Sequence, residues 1–208
     1  MNKLKFLLLF LGISLTTIVF GQEESDIFTR HEVSIGYGVL PGTSIANINS
    51  GNHNFPATNE FFGSIFANYT YKFNKVIGLG VTFAYDNNNY DMRDKNADFI
   101  SVCNVKQNIF SALVHLKVNW VRTKVVTMYS KVGFGGSYYN NKVTPLQSEE
   151  MYNINTDNMR KGRFAYSMVP VGIELGNKQY AAFMQCGYGV EGIFSIGFRL
   201  GLNKTYKQ

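Results

Sequence analysis

Two cysteines, four prolines, three histidines and one tryptophan in 208 residues leave little material for several common designs. A disulfide-built scaffold is excluded, because two thiols can close at most one bridge. Cys103 reads as loop and Cys186 as strand, which argues against a bridge between them. There is no His/Cys cluster with metal-ligand spacing, and Asp86, Asp91, Asp94 and Asp98 lack the fixed spacing of a calcium loop. No glycine-rich phosphate loop runs from a strand into a helix. Beyond the first 21 residues no run of 18 or more apolar residues occurs, so a helical membrane span is excluded there. No Lys/Arg stripe is present, so nucleic acid is not an expected partner.

The chain does have aromatic residues and glycine in quantity, with 17 Phe, 13 Tyr and 20 Gly. Aromatic rings suit pleated, half-buried surfaces, so this composition favours strands. The start differs from the rest. Lys3 and Lys5 precede an apolar core from Phe6 to Ile13, and Val19-Phe20-Gly21 lead to a cut ahead of Gln22. That is the pattern of a cleaved export signal over residues 1–21, leaving 22–208 as one domain. The formal net charge is +6 for the whole chain. Loss of Lys3 and Lys5 takes it to +4.

Alternation with a period of two then repeats along the chain. The first strand is His31 to Leu40, with Val33, Ile35, Tyr37 and Val39 opposite Ser34, Gly36 and Gly38. The second runs from Phe61 to Phe73 and the third from Ile77 to Tyr85. The fourth covers Ile109 to Val121 and the fifth Lys124 to Tyr138. The sixth, Arg163 to Leu175, holds Pro170, which cannot donate to a ladder and should mark a bulge. Its rows read as Ala165, Val169, Val171, Ile173 and Leu175 against Tyr166, Met168, Gly172 and Glu174. The seventh has the outer row Tyr180, Ala182, Met184, Cys186 and Tyr188. The eighth sets Phe194, Ile196, Phe198, Leu200 and Leu202 against Ser195, Gly197, Arg199 and Gly201.

The connections alternate in length. Residues 41–59, 86–107 and 139–161 read as long polar loops. Asn74-Lys75, Arg122-Thr123 and Gly176-Asn177 read as tight reversals. The turn at Gly189 to Gly192 is short where the rhythm calls for a long loop. One rim therefore carries the long loops. Tyr71, Phe73, Trp120 and Tyr180 gather at the other rim, where an interfacial aromatic belt would sit. The strands are long enough to cross a membrane at a tilt, which takes about 9 to 11 residues. The predicted fold is all-β, an eight-stranded antiparallel up-and-down transmembrane β-barrel. Its inner rows hold Lys72, Lys117, Lys131 and Arg199 with Glu174, more cations than carboxylates. Pairing is then expected to draw on Tyr, Asn, His or water, with inner glycines at 78, 80, 133, 135, 197 and 201 leaving room for the long chains.

No catalytic, cofactor-binding or metal-binding residue is assigned. His115 with Ser111 is the one suggestive inner pair, but four positions along a strand separate them by roughly 13 Å, too far for proton transfer. With Met168-Val169-Pro170-Val171-Gly172-Ile173-Glu174-Leu175 and the closing Gly197-Phe198-Arg199-Leu200-Gly201-Leu202, the chain resembles the small outer-membrane β-barrel family of Bacteroidota-type bacteria, similar to the eight-stranded OmpA and OmpX barrels. The resemblance implies an integral protein of the cell outer membrane with no cofactor. The expected role is a non-enzymatic, monomeric barrel that supports the envelope or presents surface loops. Its expected partners are membrane lipid, lipopolysaccharide and an external protein or surface ligand. The alternatives are a lipid-acting enzyme and a narrow channel or secretion-accessory barrel.

Overall fold

The computed structural model describes residues 27–42, 56–93, 101–145, 160–202 and 206–207. The export segment expected at 1–21 lies outside them, as do the centres of the three long connections. Eight strands form a closed barrel in sequence order: β2 (His31–Val39), β3 (Pro56–Lys72), β4 (Ile77–Arg93), β5 (Ser101–Arg122), β6 (Val126–Pro145), β7 (Arg160–Gly176), β8 (Tyr180–Gly189) and β9 (Phe194–Gly201). Every neighbour pair is antiparallel, and β2 pairs with β9 from Glu32↔Gly201 to Val39↔Phe194 to close the ring. Closure leaves no sheet edge through the ring, so its backbone groups pair along the ladders except at the register shifts. A separate two-residue pair, β1 (Ile27–Phe28) with β10 (Tyr206–Lys207), joins the chain ends.

The tight reversals fall where alternation breaks, and each is held by a side chain. Asn74 Oδ1 accepts from the amides of Val76 and Ile77 at 2.8 and 2.7 Å. Asn177 Oδ1 does the same for Gln179 and Tyr180. Thr123 Oγ1 accepts from Val126 N at 2.9 Å. Such short side chains mimic a backbone turn and fix its geometry.

The long connections are a correction. β3 begins at Pro56, β4 runs to Arg93, β5 starts at Ser101, β6 ends at Pro145 and β7 starts at Arg160. Much of 86–107 is therefore a paired hairpin, with Asp86↔Ile109 through Met92↔Cys103 in register. Cys103 lies in β5, not in a loop. The apolar period fades in this region because polar residues occupy both faces, yet the backbone ladder continues.

The bulge expected at Pro170 is present as register shifts between Tyr129 and Lys131 of β6 and between Met168 and Val171 of β7. It changes the faces of β7, which corrects the rows read from sequence. Before Pro170, Ala165 and Val169 are buried while Tyr166 and Met168 are exposed. After it, Val171 and Leu175 are exposed and Glu174 is buried. One inserted residue moves every later side chain to the other face.

Candidate functional site

The interior is where the sequence places its chemistry. Inner positions of β2, β3, β5, β6, β7 and β9 deliver Glu32, Lys72, Lys117, Lys131, Glu174 and Arg199 into the barrel by simple alternation. At the short-turn end, Glu32 meets Lys72 at 2.6 Å and both Lys117 and Arg199 at 3.3 Å. Glu174 binds Lys117 and takes Arg199 Nε at 3.0 Å. Arg199 also donates to the carbonyls of Asn177 and Lys178, tying the network to a turn. The ammonium of Lys117 sits 4.5 Å from the centre of the Tyr129 ring.

A second group lies above it. Lys131 reaches both oxygens of Glu191 at 2.7 and 2.8 Å. Gln185 donates to Glu191 at 2.6 Å and accepts from the Tyr129 hydroxyl at 2.8 Å. His115 is held between Thr70 on Nε2 at 2.9 Å and Thr82 on Nδ1 at 2.8 Å. Phe66, Ala84, Leu113, Ala165, Phe183 and Val190 form a buried apolar cluster beside these groups.

The expected pairing of Glu174 with neighbouring cations is present. The expected excess of cations remains, four against three, but two further carboxylates join Glu174, and each of the four cations meets a carboxylate. Glu32 belongs to the inner row by parity with Ser34, a signal the sequence does carry. Glu191 comes from the turn between β8 and β9, which folds inward and buries Val190 and Glu191 to 1% exposure. A short polar turn ordinarily reads as solvated, so nothing in the sequence marked it. The inner glycines are also reassigned in part. A Cβ on Gly80 would lie 2.7 Å from His115 Nε2, and one on Gly197 would lie 2.6 Å from the Phe183 ring. Gly36 and Gly172, missed from sequence, make room for the Phe66 and Tyr129 rings. Space is reserved for rings more than for the charged chains.

His115 does not meet Ser111, whose hydroxyl pairs with Ser137 at 2.5 Å. The cavity beside His115 is about 20 Å3, which is room for one water. The imidazole is 2% exposed and faces no space of substrate size. Among the described residues no group of three or more His, Cys, Asp or Glu could hold a metal ion.

The exterior has the opposite chemistry. Phe198, Ile35, Ala67, Phe83, Ala112, Gly136 and Phe164 follow one another around the barrel as register partners. Phe83, Phe198 and Phe164 in this ring are 60, 68 and 73% exposed. Cys186 also faces outward and is free. At the short-turn rim Phe73 and Tyr180 are exposed, and Tyr71 packs edge-on against Phe73 at 5.4 Å.

Fold and interior together define a closed, all-antiparallel eight-stranded barrel, apolar outside and ion-paired within. Among solved structures the chain is similar to Ail, the attachment invasion locus protein of Yersinia pestis, in complex with the heparin analogue sucrose octasulfate. That match has 13% identity over 83% of this chain and 95% of Ail, with a TM-score of 0.43. The chain is also similar to the N-terminal β-barrel domain of Pseudomonas aeruginosa OprF, with 11% identity over 84% of this chain and 98% of that domain, TM-score 0.43. No family model matches the sequence, and no curated protein does.

Proposed function

We propose that this chain is an integral outer-membrane β-barrel, exported by a leader over residues 1–21 that is then removed. Residues 22–208 form the barrel domain. In this reading it is a monomer without catalytic function, sealed to solutes, that supports the envelope and presents its long-loop end to an external ligand. It matches the kind of barrel that the resemblance to Bacteroidota-type proteins implies.

The observation that carries the reading is the inversion of inside and outside. Large apolar side chains cover the exterior, including Phe83, Phe110, Val114, Phe134, Ile196 and Phe198, while Lys117, Lys131, Glu174 and Arg199 are buried. A soluble monomer rarely exposes a contiguous apolar surface of more than a few hundred Å2. Lipid removes that penalty and favours a closed ring, in which the strands have no unpaired edge. The ion pairs, the Thr70–His115–Thr82 bridge and the apolar cluster fill the lumen, which supports a structural interior over a pore.

The test is fractionation of cells expressing the full chain. The protein should sediment with outer membranes, require detergent for release, and resist external protease through the closed part of its barrel strands. Recovery as a monodisperse soluble protein, with no detergent, would refute the reading.

A further inference from the structure

The buried ion network does not balance. Lys72, Lys117 and Arg199 surround Glu32, Lys117 and Arg199 share Glu174, and Lys131 holds Glu191. Another buried carboxylate, Asp86, stands apart. It lies four residues beyond Thr82 on β4, roughly 13 Å along the strand, with the inner pair Phe66 and Ala84 between them. The network therefore carries one more positive charge than its carboxylates neutralise. An uncompensated charge is among the most costly groups a fold can bury. Each of the three lysines already lies against a carboxylate that its charge is needed to balance, so the excess belongs to the network as a whole.

The cavity of about 20 Å3 beside His115 is where that excess gathers. Lys117 and Lys131 are register partners across β5 and β6, and both line the cavity. Like charges directly opposite one another on a sheet repel. Each ammonium has three donors. Lys117 directs two to Glu32 and Glu174, and Lys131 directs two to the oxygens of Glu191, so one N–H of each is left over. Glu174 also lines the cavity, but its oxygens face Lys117 and Arg199. Asn68 is an independent sign. It is 7% exposed and lines the same cavity. Its Nδ2 donates to Ser34 Oγ at 3.2 Å, while its Oδ1 has no hydrogen-bond partner among the described residues. A half-turn of the amide lets Oδ1 accept from the Ser34 hydroxyl and aims Nδ2 into the cavity. Three donors then converge on a space that has no acceptor of its own to offer them.

We propose that this cavity is a binding site for one small monovalent anion of halide size, held by Lys117, Lys131 and Asn68 and trapped as the barrel closes. The space accepts a water molecule, and chloride is only slightly larger. Water would fill the space but leave the charge unbalanced. An anion neutralises it and turns the repulsion between the two facing lysines into a shared attraction. The site follows from the interior alone and does not depend on what surrounds the barrel.

The test uses the mature chain refolded in detergent with sodium bromide, bromide being a heavier stand-in for chloride. Crystals of that protein should show an anomalous bromine peak between the Lys117 and Lys131 ammonium groups. In solution, gluconate, which is too large for the cavity, replaces bromide at fixed ionic strength so that screening stays constant. The folding equilibrium constant should rise about tenfold for each tenfold rise in bromide above its dissociation constant, as mass action requires for one bound ion. Asn68→Asp puts the missing carboxylate at the cavity without changing its size, and should abolish both the peak and the bromide dependence. Heat-modifiable gel mobility reports whether the variant is folded. A wild-type map with water alone in the cavity would overturn the site, and so would a folded Asn68→Asp protein with undiminished bromide dependence. If Asn68→Asp does not refold, the wild-type map decides by itself.

Discussion

The barrel has a tall wall and a low wall. β3 to β7 have 17, 17, 22, 20 and 17 residues, whereas β8, β9 and β2 have 10, 8 and 9. About 9 to 11 residues cross a bilayer, so in the proposed membrane the low wall, at 8 to 10 residues, would barely reach across while the tall wall would continue beyond. The walls also differ in charge. Lys72, Lys117 and Lys131 come from the tall wall, and their partners Glu32 and Glu191 come from β2 and the β8–β9 turn. Glu174 and Arg199 repeat the pairing in reverse, with the acid on the tall side. The interior network therefore fastens two walls that share backbone bonds only at their seams. The inward turn at Glu191 enters the lumen from the side where the wall is lowest.

The largest effect should come from breaking this fastening. Glu32→Ala leaves Lys72, Lys117 and Arg199 around an empty position, and loss of one partner from a buried ion pair costs about 3–5 kcal/mol. Urea unfolding in detergent micelles should show the drop. A null result would mean the walls are held by their ladders alone. Next, Val114→Arg places a charge on the outward apolar face of the tall wall, at an expected cost of about 2–4 kcal/mol in the proposed membrane. The same change at Thr144, higher on the same wall, should be within about 0.5 kcal/mol, and equal costs would erase the distinction between the spanning and protruding parts. Smaller again is Gly172→Ala, whose Cβ would fall 2.3 Å from the Tyr129 ring. Overpacking of that kind costs about 1–3 kcal/mol. The mildest of the destabilising changes, about 0.5–1.5 kcal/mol for a lost hydrogen-bonding side chain, is expected for Asn177→Ala at the turn that receives Arg199. Thermal melts followed by gel mobility would rank it last.

The low wall and the short-turn rim were legible in the sequence, and the tall wall was legible only in its lower half. Strands such as Tyr180–Gly189 and Phe194–Gly201 keep an apolar outward row throughout, so alternation finds them end to end, although the inner row of the first holds Ala181 and Phe183. In Asn87-Asn88-Asn89 and Lys106-Gln107-Asn108 both faces are polar. The ladder there is invisible to a hydrophobic pattern, although Asn88↔Gln107 and Gln107↔Asn141 are in register. Pro170 announced its bulge, but the change of face after it follows only when the slip is carried along the strand. Of the interior network, Lys72, Lys117, Lys131, Glu174 and Arg199 follow from parity. Glu191 does not, because a turn has no period to say which way it points. Nor does the Thr70–His115–Thr82 bridge, which joins three strands whose register no single strand encodes.

The chain carries a single tryptophan, and Trp120 stands at the short-turn end of β5 beside the register shift between Asn119 and Val121. Quenching of its fluorescence in liposomes of lipids brominated at different depths asks directly whether the apolar exterior sits in a bilayer. Strong quenching by bromines near the headgroup, weakening towards the chain ends, is the expected result. Emission that ignores brominated lipid at every depth would contradict a barrel that meets hydrocarbon on its outer face.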